Sequence, residues 1–307
     1  MTRAGAVDCG TNSIRLLVAD VEDGVLHDVH REMRVVRLGE GVDETGTLSR
    51  AALDRTFAAL RDYVSICLET KVERLRMVAT SASRDAANAD EFVAGCTSIL
   101  GVVPEVLSGE EEARLSFRGA TAELVGHAPP YVVCDIGGGS TEMVRGTDDV
   151  EQSASVDVGC VRLTERRLRS DPPTADEIEA ATNDIAAAFD RVNEAVDVAS
   201  GGTFVGLAGS VTTVAAMALG LPGYDPRAIH LARIPAVAVE DVTATLLRFT
   251  RAERAALPVM HPGRVDVIGA GALVLREALR RWSIAEVVAS ERDILDGIAF
   301  SVANAPG

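Results

Sequence analysis

A chain of 307 residues, 47% hydrophobic and 25% charged, has the composition of an ordinary soluble globular protein and the length for two domains. Its formal net charge of −16 argues against nucleic acid as a general partner, so a polyanionic ligand would need a locally basic pocket on an acidic surface. All but one (Lys71) of the 30 Lys+Arg residues are arginine, whose fork grips two phosphate oxygens at once, although biased codon usage accounts for most of that count.

Residues 4–8, 14–20 and 25–36 alternate as a β-meander, with Asp23-Gly24 as a hairpin turn. A helix is predicted over 49–70, with Ser49 as N-cap and Leu53, Phe57, Leu60 and Val64 on one face. A buried strand at 75–80, a helix at 90–100, a strand at 102–107 and a helix at 108–124 follow. Glycine and prolines at 126–130 mark a boundary. Strands at 131–135, 141–145 and 150–156 then repeat the opening pattern, with helices near 159–168 and 174–196. A strand at 203–207 feeds Ala208-Gly209-Ser210 and a helix, and 220–226 is a surface connection. Helices near 239–249, 263–282 and 292–302 surround a strand at 286–289. Strands alternating with helices in both halves imply an α/β protein of two related domains, 1–125 and 126–307, with the helix at about 292–304 a candidate to pack back on the first.

The halves share more than pattern. Asp8-Cys9-Gly10-Thr11-Asn12-Ser13 and Asp135-Ile136-Gly137-Gly138-Gly139-Ser140 both read Asp-x-Gly-x-x-Ser between two apolar strands. A glycine loop there lets backbone N–H groups approach a phosphate closely, and two such loops facing each other would hold a phosphate chain from both sides. Gly137, Gly138, Gly139 and Ser140 are candidate phosphate ligands, as are Gly10, Thr11, Asn12 and Ser13. Asp135 and Glu142 flank the second loop as hard oxygen ligands suited to Mg²⁺ or Mn²⁺, and Asp8 duplicates Asp135, to share the ion or orient water. Arg15, at the position matching Glu142, and Arg84 are candidates to neutralise phosphate charge, with Asn88 a weaker one. The run Arg162, Arg166, Arg167, Arg169 is either a rest for a long anionic tail or a solvated helix face. Gly209 and Ser210 either approach a ligand or cap a helix.

These motifs, with Ala79-Thr80-Ser81-Ala82-Ser83-Arg84-Asp85, Ser108-Gly109-Glu110-Glu111-Glu112-Ala113-Arg114-Leu115, Gly206-Leu207-Ala208-Gly209-Ser210 and His261-Pro262-Gly263-Arg264, resemble the exopolyphosphatase / guanosine pentaphosphate phosphatase family of the actin, sugar kinase and chaperone ATPase superfamily, over nearly the whole chain. The resemblance implies two ribonuclease-H-like domains around a central cleft. It also implies cytoplasmic, divalent-cation-dependent removal of a terminal phosphate from inorganic polyphosphate, and often from guanosine pentaphosphate, in a short two-domain form. It makes the glutamate before Ala-Arg, Glu112, the catalytic base; Glu111 is explained by a capping box with Ser108. An ATP-dependent small-molecule kinase of the superfamily and an inactive guanosine pentaphosphate sensor are the alternatives, and a homodimer is left open. The five cysteines form no Cys-x-x-Cys pair, so buried reduced thiols are expected; no signal-peptide pattern and no run of about 18 apolar residues is present, so no membrane partner is expected.

Overall fold

The structure, a computed structural model, describes residues 2–22 and 25–303; the expected Asp23-Gly24 turn lies outside them. Two compact units divide the chain, one running to Gly119 and resuming at Asp293, the other spanning Ala120–Arg292.

The first unit is built on β1 (Thr2–Cys9), β2 (Ser13–Glu22), β3 (Val25–Val35), β4 (Arg74–Ala79) and β5 (Glu105–Val106), in the order β3-β2-β1-β4-β5. β1 pairs antiparallel with β2 and parallel with β4, and β4 is parallel to β5. Alternate residues face opposite sides of a strand, so both faces are buried. Val7, Cys9, Ile14, Leu16 and Val18 join the core under helices Arg50–Glu69 and Ala89–Leu100. Ala4, Ala6, Leu17, Ala19 and Val21 face the opposite core, with Leu115 of helix Gly109–Thr121 and Ile298 of helix Ile294–Ala303.

The second unit carries β6 (Tyr131–Ile136), β7 (Thr141–Gly146), β8 (Val150–Val156), β9 (Thr203–Leu207), β10 (Arg233–Pro235) and β11 (Glu286–Ala289), in the order β10-β11-β9-β6-β7-β8. Taken as β8-β7-β6-β9-β11, this is the order of the first sheet, with β10 added at one edge. The sequence repeat is therefore a repeat of topology, and both units have the ribonuclease-H-like arrangement expected of them.

The division falls inside the last turn of helix Gly109–Thr121, not at 125/126, and helix Ile294–Ala303 goes with the first unit. Glycine and proline at 126–130 mark a surface loop, whereas packing changes where Gly119 meets Asp293: a Cβ on Gly119 would stand 1.8 Å from the Asp293 carbonyl oxygen. The strand expected at 102–107 is reduced to Glu105–Val106 at a sheet edge. The short helices Val42–Thr45, Ser81–Asp85, Pro226–Ile229 and Arg251–Ala255 were not anticipated. Among the described residues no helix is long and apolar enough to cross a membrane.

All five cysteines are buried free thiols. Burial pushes the Cys67 thiol up to about 11 and the Cys96 thiol up to about 12. The folded state then keeps protons that the unfolded chain releases near the ordinary thiol value. Their contribution to stability is full below that value and is lost as pH rises through the folded values. The urea midpoint should fall between about pH 8 and about pH 10.5, and a thiol reagent at about pH 8 should label the folded protein at none of the five sites. Rapid labelling of the native protein would refute the burial.

Candidate functional site

Each glycine loop joins two antiparallel strands at the carboxyl end of the sheet's parallel core, where open α/β sheets gather ligand-binding residues. The two loops are built alike. Gly10 N–H donates to the Ser13 carbonyl at 2.9 Å, and Gly137 N–H to the Ser140 carbonyl at 3.0 Å. Loop carbonyls are bound by the segment that follows the third strand of each meander. In the first unit the Thr11 carbonyl accepts from Gly39 N–H at 2.9 Å, and the Asn12 carbonyl from Val36 at 3.1 Å and Arg37 at 2.9 Å. In the second, helix Cys160–Arg167 supplies the donors: Cys160 N–H to the Gly137 carbonyl at 2.9 Å, with Val161 at 2.9 Å and Arg162 at 3.1 Å to Gly138. The amides of Thr11, Asn12, Gly138 and Gly139 make no hydrogen bond among the described residues. Backbone donors presented without acceptors suit an anion.

The residues after the loops differ. Seven positions after each aspartate, the hairpin register sets Arg15 opposite Asp8 and Glu142 opposite Asp135. Asp8 Oδ2 accepts from Arg15 Nε at 3.0 Å and Nη2 at 2.6 Å, and Arg15 Nη1 bonds Asp293 Oδ2. Burial raises the Asp8 carboxyl above its ordinary range, further than Arg15 lowers it, and Asp293 adds to the rise. Its second oxygen, Oδ1, is buried and has no partner. Arg15, expected at phosphate, is thus engaged by two carboxylates. In the second unit Asp135 and Glu142 are 8% and 1% exposed, so both carboxylates are taken largely out of water, and Ser155 Oγ donates to Glu142 Oε1 at 2.7 Å.

Around the first loop stand Arg84 and Glu112. Thr11 Oγ1 shares a 2.9 Å hydrogen bond with Ser81 Oγ, which ties the loop to the short helix Ser81–Asp85. Arg84 Nη1 donates to the Leu107 carbonyl at 2.9 Å and to Glu112 Oε2 at 3.3 Å. Glu112 is 8% exposed, in the first turn of helix Gly109–Thr121. Glu111 differs: its amide donates to Ser108 Oγ at 3.2 Å, but its carboxylate lies 3.4 Å from Arg76 Nη2, so the cap is one-sided. The first unit thus gathers Asp8, Gly10–Ser13, Arg15, Arg84 and Glu112; the second gathers Asp135, Gly137–Ser140 and Glu142.

Other candidates have structural duties. Asn88 is bonded to Leu48 through both side-chain atoms, at 2.8 and 3.0 Å. In the basic run Arg167 forks onto Asp184 at 2.7 and 3.0 Å, Arg162 lies 3.7 Å from Asp157, and Arg169 bonds the Glu165 carbonyl. Gly209 lies under the Arg264 guanidinium, which reaches Thr213 Oγ1 at 3.2 Å, and Ser210 packs beneath Gly271. Asp293 and Ser81 were not singled out as site residues, although Ser81 lies within a motif that carries the resemblance.

Two α/β units with ribonuclease-H-like strand order, each bearing an anion-ready glycine loop flanked by carboxylates, define a phosphate-handling protein of the actin-like ATPase type. Residues 17–305 match the Ppx/GppA phosphatase family. The chain is 50% identical over 316 aligned residues to exopolyphosphatase 2 of Mycobacterium tuberculosis, covering 99% of each. Among solved structures it is similar to an exopolyphosphatase-like protein (41% identity, TM-score 0.94, covering 98% of this chain and 97% of that one). It is also similar to the Ppx/GppA family member of Aquifex aeolicus (30% identity, TM-score 0.83, covering 98% and 97%). The chain belongs to the Ppx/GppA phosphatase family.

Gly159 lets the helix reach the second loop: a Cβ there would stand 2.4 Å from the Gly138 carbonyl carbon and oxygen. Gly159→Ala should destabilise the protein by about 1–3 kcal/mol through overpacking. Hydrogen exchange should speed up at the amides of Cys160, Val161 and Arg162, whose acceptors are loop carbonyls. Unchanged exchange at these three amides would show that the helix does not hold the loop.

Proposed function

We propose that the protein is an exopolyphosphatase that hydrolyses the terminal phosphoanhydride of inorganic polyphosphate. The observation that carries this is the buried Glu112, oriented by Arg84 and set beside a glycine loop with open amides. Phosphoryl transfer asks mainly for positioning and for stabilisation of charge on the transferred oxygens. The amides of Thr11, Asn12, Gly138 and Gly139 are suited to phosphate oxygens, and Arg84 adds positive charge. Glu112 accepts a proton from water as its oxygen bonds the terminal phosphorus; the bridging P–O bond breaks and the shortened chain leaves with the electron pair. Gly10, Ser13, Gly137 and Ser140 keep the loops in shape through their own hydrogen bonds.

Among the described residues no three Asp, Glu, His or Cys side chains converge to hold an ion. Asp135 and Glu142, directly opposed across β6 and β7, are hard donors that fit Mg²⁺ or Mn²⁺ when substrate phosphate and water complete the shell. Such an ion would neutralise charge on the phosphates. Asp8 fits that role less well because Arg15 engages it; its buried Oδ1 suits a water of the reaction.

A purified-protein panel of polyphosphate, guanosine pentaphosphate, and ATP with sugar acceptors tests the reading by phosphate release. Consumption of ATP with an acceptor while polyphosphate stays inert would overturn it in favour of a kinase. Full activity after exhaustive chelation would remove the metal. Glu112→Gln should lower kcat by about 10²–10⁴, whereas Glu111→Gln should cost roughly 0.5–1 kcal/mol of stability and little rate. A large kinetic loss at Glu111 with a small one at Glu112 would move the base by one residue.

A further inference from the structure

Helix Ile294–Ala303 begins with two acids, and each finds an arginine on the meander. Asp293 caps the helix: its Oδ1 accepts from Leu295 N–H at 3.0 Å, and Asp296 Oδ2 reaches back to Asp293 N–H at 3.0 Å. Asp293 Oδ2 accepts from Arg15, and Asp296 from Arg31, which also pairs with Asp28 at 2.8 Å. The cap needs only one oxygen of Asp293, so the contact with Arg15 is surplus to helix formation.

The backbone around Asp293 is fixed against the helix that carries Glu112. Gly119 of that helix meets the Asp293 carbonyl, and a Cβ on Gly297 would stand 2.0 Å from the Leu115 carbonyl oxygen. Side chains are excluded at both crossings, so the two helices are held backbone to backbone. Arg15 spends Nε and Nη2 on a single oxygen of Asp8 and Nη1 on Asp293. Asp8 keeps its other oxygen buried and unpartnered beside the loop that begins at Gly10.

We infer that Asp293 is a positioning residue of the hydrolytic site: by holding Arg15 it fixes the Asp8 carboxylate so that Oδ1 is kept as an acceptor for a water of the reaction. This rests on the hydrolase reading above. Asp293 touches no reacting atom and acts only through Arg15. A misplacement on the order of 1 Å can cost about 10²-fold in rate, so its removal should be read in kcat.

The test is a double-mutant cycle on the full chain. Asp293→Ser keeps a good helix cap but cannot reach Arg15; Asp293→Asn keeps the cap and a neutral acceptor. The serine variant should lose about tenfold to a hundredfold in kcat with KM within about threefold, and the asparagine variant less. Asp8→Asn combined with Asp293→Ser should fall no further than Asp8→Asn alone, because Asp293 acts only through Arg15 on the Asp8 carboxylate, which that variant has already removed. Asp296→Asn, at the other docking pair, should lower the thermal midpoint and leave kcat unchanged. Wild-type kcat in Asp293→Ser, or losses that multiply in the double variant, would overturn the inference. The Arg15 Nη1–H resonance gives a readout without substrate: bonded to Asp293, it should exchange slowly in the wild type and rapidly in Asp293→Ser. If the wild type leaves polyphosphate intact, the functional reading fails by itself, and an unchanged resonance in Asp293→Ser would separately sink the role of Asp293.

Discussion

The structure depends most on where the carbonyl groups of two tight loops are sent. A loop of four residues can pair few of its own backbone groups, and polar groups left buried are costly. Here each loop closes with one glycine-to-serine bond, and its carbonyls are taken by the segment that follows the third strand. Once these acceptors are engaged, the amides point to the other side of the peptide units. Open amides of the kind that suit an anion therefore follow from how carbonyls are satisfied, before any charged side chain is considered. The close approach at Gly159 is the same constraint seen from the helix.

The two copies have diverged where the hairpin register puts the seventh residue. In the first unit that residue is Arg15, and the pair with Asp8 is of opposite charge. In the second it is Glu142, and two carboxylates face each other across the strands. Like charges directly opposed in a sheet destabilise it, and more so out of water. A duplicated frame with one self-neutralising pair and one acidic pair gives the two units different electrostatics: the first carboxylate is held by an arginine, while the second faces another carboxylate.

The repeat was legible in the sequence because hairpin geometry dictates it. Aspartate, glycine and serine recur at fixed offsets since the strand end, the turn and the closing bond do. The long helix Arg50–Glu69 was legible from periodicity and from its cap, Ser49, and Ala175–Ala195 from its length; the cap Thr174 emerges only in the structure. Single-turn helices such as Ser81–Asp85 have no period to read. Arginine partners were not legible either. The run from Arg162 to Arg169 looks like a basic strip in one dimension, and Asp184, which neutralises Arg167, comes from a different helix. Asp293 is separated from Arg15 by 278 positions, and nothing in its local pattern points to an arginine partner.

Two acid–arginine–acid triads stand at the end of the first unit: Asp8, Arg15 and Asp293, and Asp296, Arg31 and Asp28. Asp8 and Asp296 are almost fully buried. Ion pairs in such places seldom improve on apolar residues of the same volume, because desolvation cancels most of the attraction. Alanines at Ala4, Ala6 and Ala19 already give this helix an apolar seat on the sheet. What apolar packing lacks is direction. A guanidinium held on two sides by carboxylates has one orientation, and the aspartate it holds has one as well. The cost of burying these groups is best understood as the cost of placing one carboxylate oxygen beside a glycine loop with open amides.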